Sequence, residues 1–218
     1  MSLESLFKDA VHQLALREVP FAVAGGLAAS LYRQTPRMTM DVDLVIMAAS
    51  DSARTAISIL ESIGLETGIA RQADLAGGPL FAIRRKNTAA CMVVGRSADK
   101  SHEWGVDILL PSMPWAADAV SRAQDNPVDF GFGAVPALTL EDMILAKLHA
   151  LTGGIPRPKD LDDLQSIYEA NGDEVDTIYL AAQMKRFALV VPSSAKPFLP
   201  AELLALSRDI RRQNHRRP

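Results

Sequence analysis

Apolar residues recur at helical spacing over the first twenty positions, where Leu6, Ala10, Val11 and Leu14 fall on one face of an amphipathic helix. FAVAGG (21–26) then forms a short apolar run that predicts a strand ending in a glycine pair. LAASLYRQ returns to a helical pattern and stops near Thr35–Pro36, because proline disfavours helical geometry in the residue before it. MDVDLVIM (40–47) alternates and is rich in β-branched residues, which predicts a second strand. SDSARTAISILESIG (50–64) carries a capping Ser or Asp, an apolar stripe at helical spacing, and Gly64 as terminator.

The middle of the chain, roughly 78–111, has the pattern of a strand meander. PLFAIRR and AACMVVG flank a hairpin loop at Lys86–Thr88, and EWGVDILLP supplies a further strand. From about 138 the pattern is helical. LTLEDMILAKLHALTG has Thr139 as its N-cap and acidic residues in its first turn. RPKDLDDLQSIYEA opens another helix, and 176–190 and 200–212 are helical as well. Strands and helices mixed first, followed by helices alone, predict an α+β domain over 1–135 with a helical region over 136–218 packed on it. Neither an internal repeat nor a low-complexity block interrupts this order.

Composition changes the picture little. The 218 residues are 48% hydrophobic and 22% charged, ordinary for a globular chain. Mean hydropathy is +0.07, yet no apolar run approaches the ~20 residues that span a bilayer. The N-terminus lacks the basic and small-residue features of a signal peptide, so a cytoplasmic location without membrane attachment is expected. The one cysteine, Cys91, lies in an apolar strand-like run and is expected to be a buried thiol, in keeping with a reducing compartment. Four scattered histidines offer no zinc spacing. A net charge of −3 neither favours nor excludes nucleic acid. RDIRRQNHRRP at the C-terminus carries five arginines against one aspartate, a composition that suits either phosphate contact or a solvated helix end. Two Trp, three Tyr and seven Phe leave no basic–aromatic strip for stacking bases.

The acidic residues inside apolar strands carry the chemistry. Side chains two apart on a strand share a face, so Asp41 and Asp43 project together while Val42, Leu44 and Ile46 face the core. Aspartate is a poor strand former, and two carboxylates on one face repel, so a bound divalent cation is the natural compensation. Asp107 in VDILL is a further acid within an apolar strand. Were its strand a neighbour, three carboxylates would meet, the requirement of two-metal phosphoryl chemistry. Gly25 and Gly26, between a strand and a helix, expose backbone N–H groups at a helix N-terminus where a phosphate binds well. The alternative, a tight turn without ligand, stays open, but GGLAAS is not the G-x-G-x-x-G of a dinucleotide fold.

AGGLAASLYRQTPRMTMDVDLVI resembles the signature of DNA polymerase β-like nucleotidyltransferases, and more closely that of the AbiEii-type group, which includes toxins of type IV toxin–antitoxin systems. In that group the glycine pair precedes an Arg-x-Ser/Thr-x-Asp-h-Asp string, matched here by Arg37, Thr39, Asp41 and Asp43. A later helix with a lysine (Lys147 in EDMILAKLHA) and a Lys-Asp pair (Lys159–Asp160) also match, and the resemblance covers about 19–168. It implies a mixed β-sheet flanked by helices. It also implies Mg²⁺ or Mn²⁺ on Asp41, Asp43 and Asp107, with Asp107 receiving the acceptor's proton. Gly25, Gly26, Lys147 and Arg37 would meet the triphosphate, and Asp160 would orient Lys147 or contact the nucleotide. Two positions depart from the pattern: Gly26 stands where many relatives have serine, and Leu27–Ser30 offers no lysine, leaving Arg33 as the next cation.

The expected activity is transfer of a nucleotide from an NTP to a hydroxyl of RNA (such as a tRNA end), a protein or a small molecule, with a cognate antitoxin among the partners. The alternative is a module that keeps the fold to bind a nucleotide or partner without turnover. Intact Asp41, Asp43 and Asp107 count against it.

Overall fold

The computed structural model describes residues 2–48, 51–71, 90–98, 104–152 and 157–216. Helix α1 (Leu3–Leu16) opens on a reciprocal capping box between Ser2 and Ser5 and buries Leu6, Phe7, Ala10 and Leu14. Strand β1 (Phe21–Ala24) runs directly into α2 (Gly25–Tyr32), so the glycine pair expected to end the strand instead starts the helix. β2 (Asp41–Ile46) and α3 (Ser52–Ser62) follow, the latter capped by the Asp51 carboxylate, which accepts from the Arg54 N–H at 3.1 Å.

β3 (Leu65–Arg71), β4 (Ala90–Ser97) and β5 (Gly105–Leu109) complete a five-stranded sheet in the order β1-β2-β5-β4-β3. Only the central β2–β5 pair is parallel; the other pairs are antiparallel. The meander is therefore real at β4 and β5, while PLFAIRR and the Lys86–Thr88 loop lie outside the described residues. β3 was not expected: LETGIAR has no clean alternation, and it is held as a strand by its antiparallel pairing with β4. Cys91 on β4 is buried, as expected, with its thiol donating to the Ala70 carbonyl at 3.5 Å.

Between the sheet and the helical region that begins near 138 lie elements that the sequence pattern did not single out. The chain forms α4 (Ala116–Ala123), then a two-stranded ribbon of β6 (Pro127–Asp129) and β7 (Ala134–Pro136). The next residues lie along the free edge of β1, where the Leu138 N–H donates to the Val23 carbonyl at 3.0 Å. Helices α5 (Leu140–Thr152), α6 (Pro158–Asn171) and α7 (Thr177–Arg186), a 3₁₀ segment (Ser193–Phe198) and α8 (Ala201–Arg216) finish the chain. Asp142 on α5 is fully buried and ion-paired to Arg122 of α4, and it accepts from the Tyr179 hydroxyl of α7 at 3.1 Å, tying three helices together. Asn171 at the end of α6 donates to the Tyr32 carbonyl at 2.6 Å and so satisfies an open carbonyl at the C-terminus of α2.

The two faces of the sheet differ. A Cβ built on Gly95 of β4 would meet Leu60 of α3 and Leu65, so α1 and α3 cover that face with Val42, Leu44, Val106 and Ile108 beneath them. By strand alternation, Asp41, Asp43, Arg96, Gly105 and Asp107 belong to the opposite face. Ile108 is fully buried on the central β5. Ile108→Ala should lower the unfolding free energy by about 2–5 kcal/mol, the cost of a core cavity. Urea denaturation checks this, and a loss under about 0.5 kcal/mol would contradict the stated packing.

Candidate active site

The turn from β1 into α2 is shaped around Asp43. Gly25 has φ +57°, a conformation that an L side chain enters at a cost, and a Cβ there would lie 1.8 Å from Asp43 Oδ2. The Gly26 N–H points at the same oxygen, 3.4 Å away. A Cβ on Gly26 would come within 2.9 Å of Thr39 Oγ1 and 3.0 Å of Arg37 Nη2. The glycine pair is thus required by the close approach of the acidic strand as well as by the turn itself.

Sheet register brings the three predicted aspartates to one place. On the parallel β2–β5 pair Asp43 stands opposite Asp107, and Asp41 stands opposite Gly105. On the antiparallel β5–β4 pair Gly105 stands opposite Arg96. One row across three strands therefore reads Arg96–Gly105–Asp41, and the next row reads Asp107–Asp43. The Arg96 guanidinium reaches diagonally to Asp107, to which both terminal nitrogens donate, and across the gap at Gly105 to Asp41 Oδ1 at 3.8 Å. Arg96 escaped the sequence reading, although an arginine in an otherwise apolar strand signals a partner on the same sheet face.

Desolvation is the first cause that raises the Asp43 carboxyl above its ordinary value of 3.8, and the neighbouring Asp107 charge adds to it. Asp107 is raised as well, chiefly by burial, against the opposing pull of Arg96. Lys159, exposed in the first turn of α6, lowers both through its charge. Oxygen donors of this kind are the chemistry that Mg²⁺ takes, and a group that holds its proton too readily gains most from a cation beside it. The donor set fits a hard divalent ion. Among the described residues no three ligating side chains yet close on a common point, and the guanidinium of Arg96 lies between two of these three carboxylates.

The predicted cations lie in an ion-pair network beside the aspartates. Lys147 of α5 is buried and donates to Asp160 at 2.9 Å and to Asp163 at 2.6 Å. Arg37 holds Asp163 through two bonds of 2.8 and 3.1 Å, and Arg33 adds a third contact at 2.7 Å. The N-cap of α6 is Arg157, and Asp160 follows it. It lies in the first turn and accepts from Lys147 and from Arg157 Nε at 2.6 Å. Arg37, expected to meet the triphosphate, instead reaches Asp163 on a helix more than a hundred residues away. Asp163, fully buried, is the hub that the sequence reading missed. Its signal was its place one helical turn after Asp160, on the same face of the helix.

Asp163→Ala would leave Lys147, Arg37 and Arg33 without their shared carboxylate, and should cost about 3–5 kcal/mol of stability, as removal of one partner of a buried pair does. Urea denaturation reads this, and a loss below about 1 kcal/mol would mean that the network contributes little. The pH dependences run in opposite directions. Despite its burial, the cations around Asp163 hold its carboxyl below 3.8, so its contribution is intact above that value and is lost as pH falls further. Asp43 and Asp107 are raised, so in chelator the wild type should gain stability as pH falls from neutrality toward about 4. Asp43→Asn should be at least as stable at neutral pH and show a smaller gain. An equal gain in both would remove Asp43 as its source.

Comparison with known proteins agrees with this architecture. No curated protein matches the sequence. The solved structure of the antibiotic-resistance factor ANT(2'')-Ia in complex with adenylyl-2''-tobramycin superposes with a TM-score of 0.52 at 16% identity, covering 84% of this chain and 97% of that one. A solution structure of the same factor gives a TM-score of 0.50 at 18% identity, covering 84% and 92%. The shared fold is that of the polymerase β-like nucleotidyltransferases. A family described as "Nucleotidyl transferase AbiEii toxin, Type IV TA system" matches residues 13–217. With nearly its whole length so matched, the chain belongs to the AbiEii nucleotidyltransferase family.

Proposed function

We propose that this protein transfers a nucleoside monophosphate from an NTP to a hydroxyl acceptor, with Asp41, Asp43 and Asp107 holding divalent metal. The observation that carries the reading is the register of Asp43 opposite Asp107, with Asp41 on the same face and Asp43 packed against the glycine turn. When bound, Mg²⁺ or Mn²⁺ would supply Lewis-acid stabilisation of the phosphoryl oxygens. The N-terminus of α2 at Gly25–Gly26 faces the acidic strand and would receive the phosphates there.

Asp107 is the candidate acceptor of the attacking hydroxyl's proton, because register sets it beside Asp43 on the acidic face of the sheet. Lys159 is an exposed cation in the first turn of α6 whose charge acts on Asp43 and Asp107, which makes it a candidate contact for the triphosphate. Lys147 is committed to Asp160 and Asp163. Its role, with Arg37, is to fix α6 against the loop before β2, and so to set where Lys159 stands. Asp160 orients Lys147 rather than meeting the nucleotide. No helix among the described residues is long and apolar enough to cross a membrane. The acceptor belongs to the class of RNA, protein or small-molecule hydroxyls, and the family's type IV toxin–antitoxin membership supports a cognate antitoxin as partner.

Incubation with each α-labelled NTP, Mg²⁺ and a cell extract should move label onto one acceptor class, and chelator should stop it. Asp43→Asn should reduce transfer at least about a hundredfold, given the several kcal/mol that metal charge contributes to such reactions. Full transfer by that variant would place the metal elsewhere. Lys159→Ala should raise KM for the NTP several-fold with a smaller effect on kcat, which steady-state kinetics resolves.

A further inference from the structure

We propose that Arg96 is a built-in counter-cation of the acidic cluster, occupying the space between Asp41 and Asp107 and setting how readily a divalent cation enters. This rests on the metal-dependent reading above and concerns when the metal binds rather than whether it does.

Two independent features carry the inference. The first is charge and contact: the guanidinium donates to both oxygens of Asp107 and lies 3.8 Å from Asp41. A bidentate hold of this kind uses the lone pairs that a cation would need, so guanidinium and metal cannot occupy Asp107 in the same way at once. The second is space. Gly105 stands between Arg96 and Asp41 in the sheet, and a Cβ there would fall 2.4 Å from Arg96 Nη1 and 2.9 Å from Asp41 Oδ1. Glycine weakens a strand interior and marks a close approach. The slot through which Arg96 reaches Asp41 exists because this position has no side chain.

The side chain of Arg96 is 44% exposed, so the guanidinium has a path to solvent and its departure leaves no buried cavity. Binding is then an exchange: the cation must displace one positive charge from the cluster before it gains the carboxylates. A metal ion alone competes poorly. A metal ion that arrives with a triphosphate brings further ligands and negative charge, and the released Arg96 stays within reach of that charge. Cation occupancy is thereby coupled to the nucleotide, and the desolvated carboxylates are not left uncompensated between turnovers.

Calorimetric titration with Mn²⁺ alone tests this on wild type, Arg96→Gln, Gly105→Ala and Asp43→Asn. Arg96→Gln should bind Mn²⁺ roughly ten- to a hundredfold more tightly than wild type, the range expected for a partly solvated unit charge at this distance. Gly105→Ala keeps every charge but fills the slot, meeting the Arg96 guanidinium more closely than the Asp41 carboxylate, so the guanidinium gives way most and Mn²⁺ binding should tighten by a smaller factor. In chelator Arg96→Gln should melt below wild type, and Mn²⁺ should raise its Tm by more. Wild type should bind Mn²⁺ more tightly when a non-hydrolysable NTP analogue is present.

Equal Mn²⁺ affinity in wild type, Arg96→Gln and Gly105→Ala would overturn the role of Arg96 and leave the transferase reading standing. If Arg96→Gln does not fold, an unchanged affinity in Gly105→Ala overturns it by itself. Failure of every variant to bind Mn²⁺, even with the NTP analogue, would overturn both.

Discussion

Two aspartates stand opposite each other on adjacent parallel strands, and a third is two residues along the same face. Neighbouring strands lie about 4.8 Å apart, so the charges repel at short range in surroundings that hydrate them poorly. Both paired carboxyls are raised above their ordinary value as a result. Much of the chain around them reduces that cost. Arg96 reaches in from β4, the Gly26 N–H turns toward Asp43, and the charges of Lys147 and Arg37 act on Asp43 from the neighbouring network.

The same constraint explains the backbone around the site. Gly25 combines a left-handed turn with a position where a side chain would strike Asp43, and Gly105 lacks a side chain where a guanidinium passes over it. The helices after the sheet hold the site together from behind. Asp163 on α6 gathers a lysine from α5 and arginines from α2's C-cap and the loop before β2, and so fixes the start of α6, which carries Lys159, against the sheet's acidic face. On the proposed reading, function depends on charges whose mutual distances are set by sheet register and by one buried hub.

The carboxylates and glycines were legible in the sequence because both violate local preference: Asp41, Asp43 and Asp107 sit in strands where burial disfavours charge, and Gly25–Gly26 interrupts a strand–helix junction. Short apolar strands such as β1 and β2 showed for the opposite reason, because their residues follow local preference. β3 did not, because its strand state comes from its partner rather than from its own residues. α4 did not, because AADAVSRA is short and has no side-chain cap. Arg96 and Asp163 were not singled out because their meaning is set by long-range partners. One depends on the residue that register places across the sheet, the other on arginines more than a hundred residues upstream. Lys147 and Asp160 were visible as residues, but their pairing was only one of the alternatives.

Whether these carboxylates exist to hold a cation is best settled by crystals grown with Mn²⁺ and a non-hydrolysable NTP analogue, with anomalous scattering used to locate the metal. A peak bonded to Asp43 and Asp107 at about 2.1–2.3 Å, with the analogue's phosphates against the start of α2 and Arg96 withdrawn from Asp107, is the expected result. An analogue bound with Arg96 still bridging Asp107 and Asp41 and no metal on the three aspartates would contradict it.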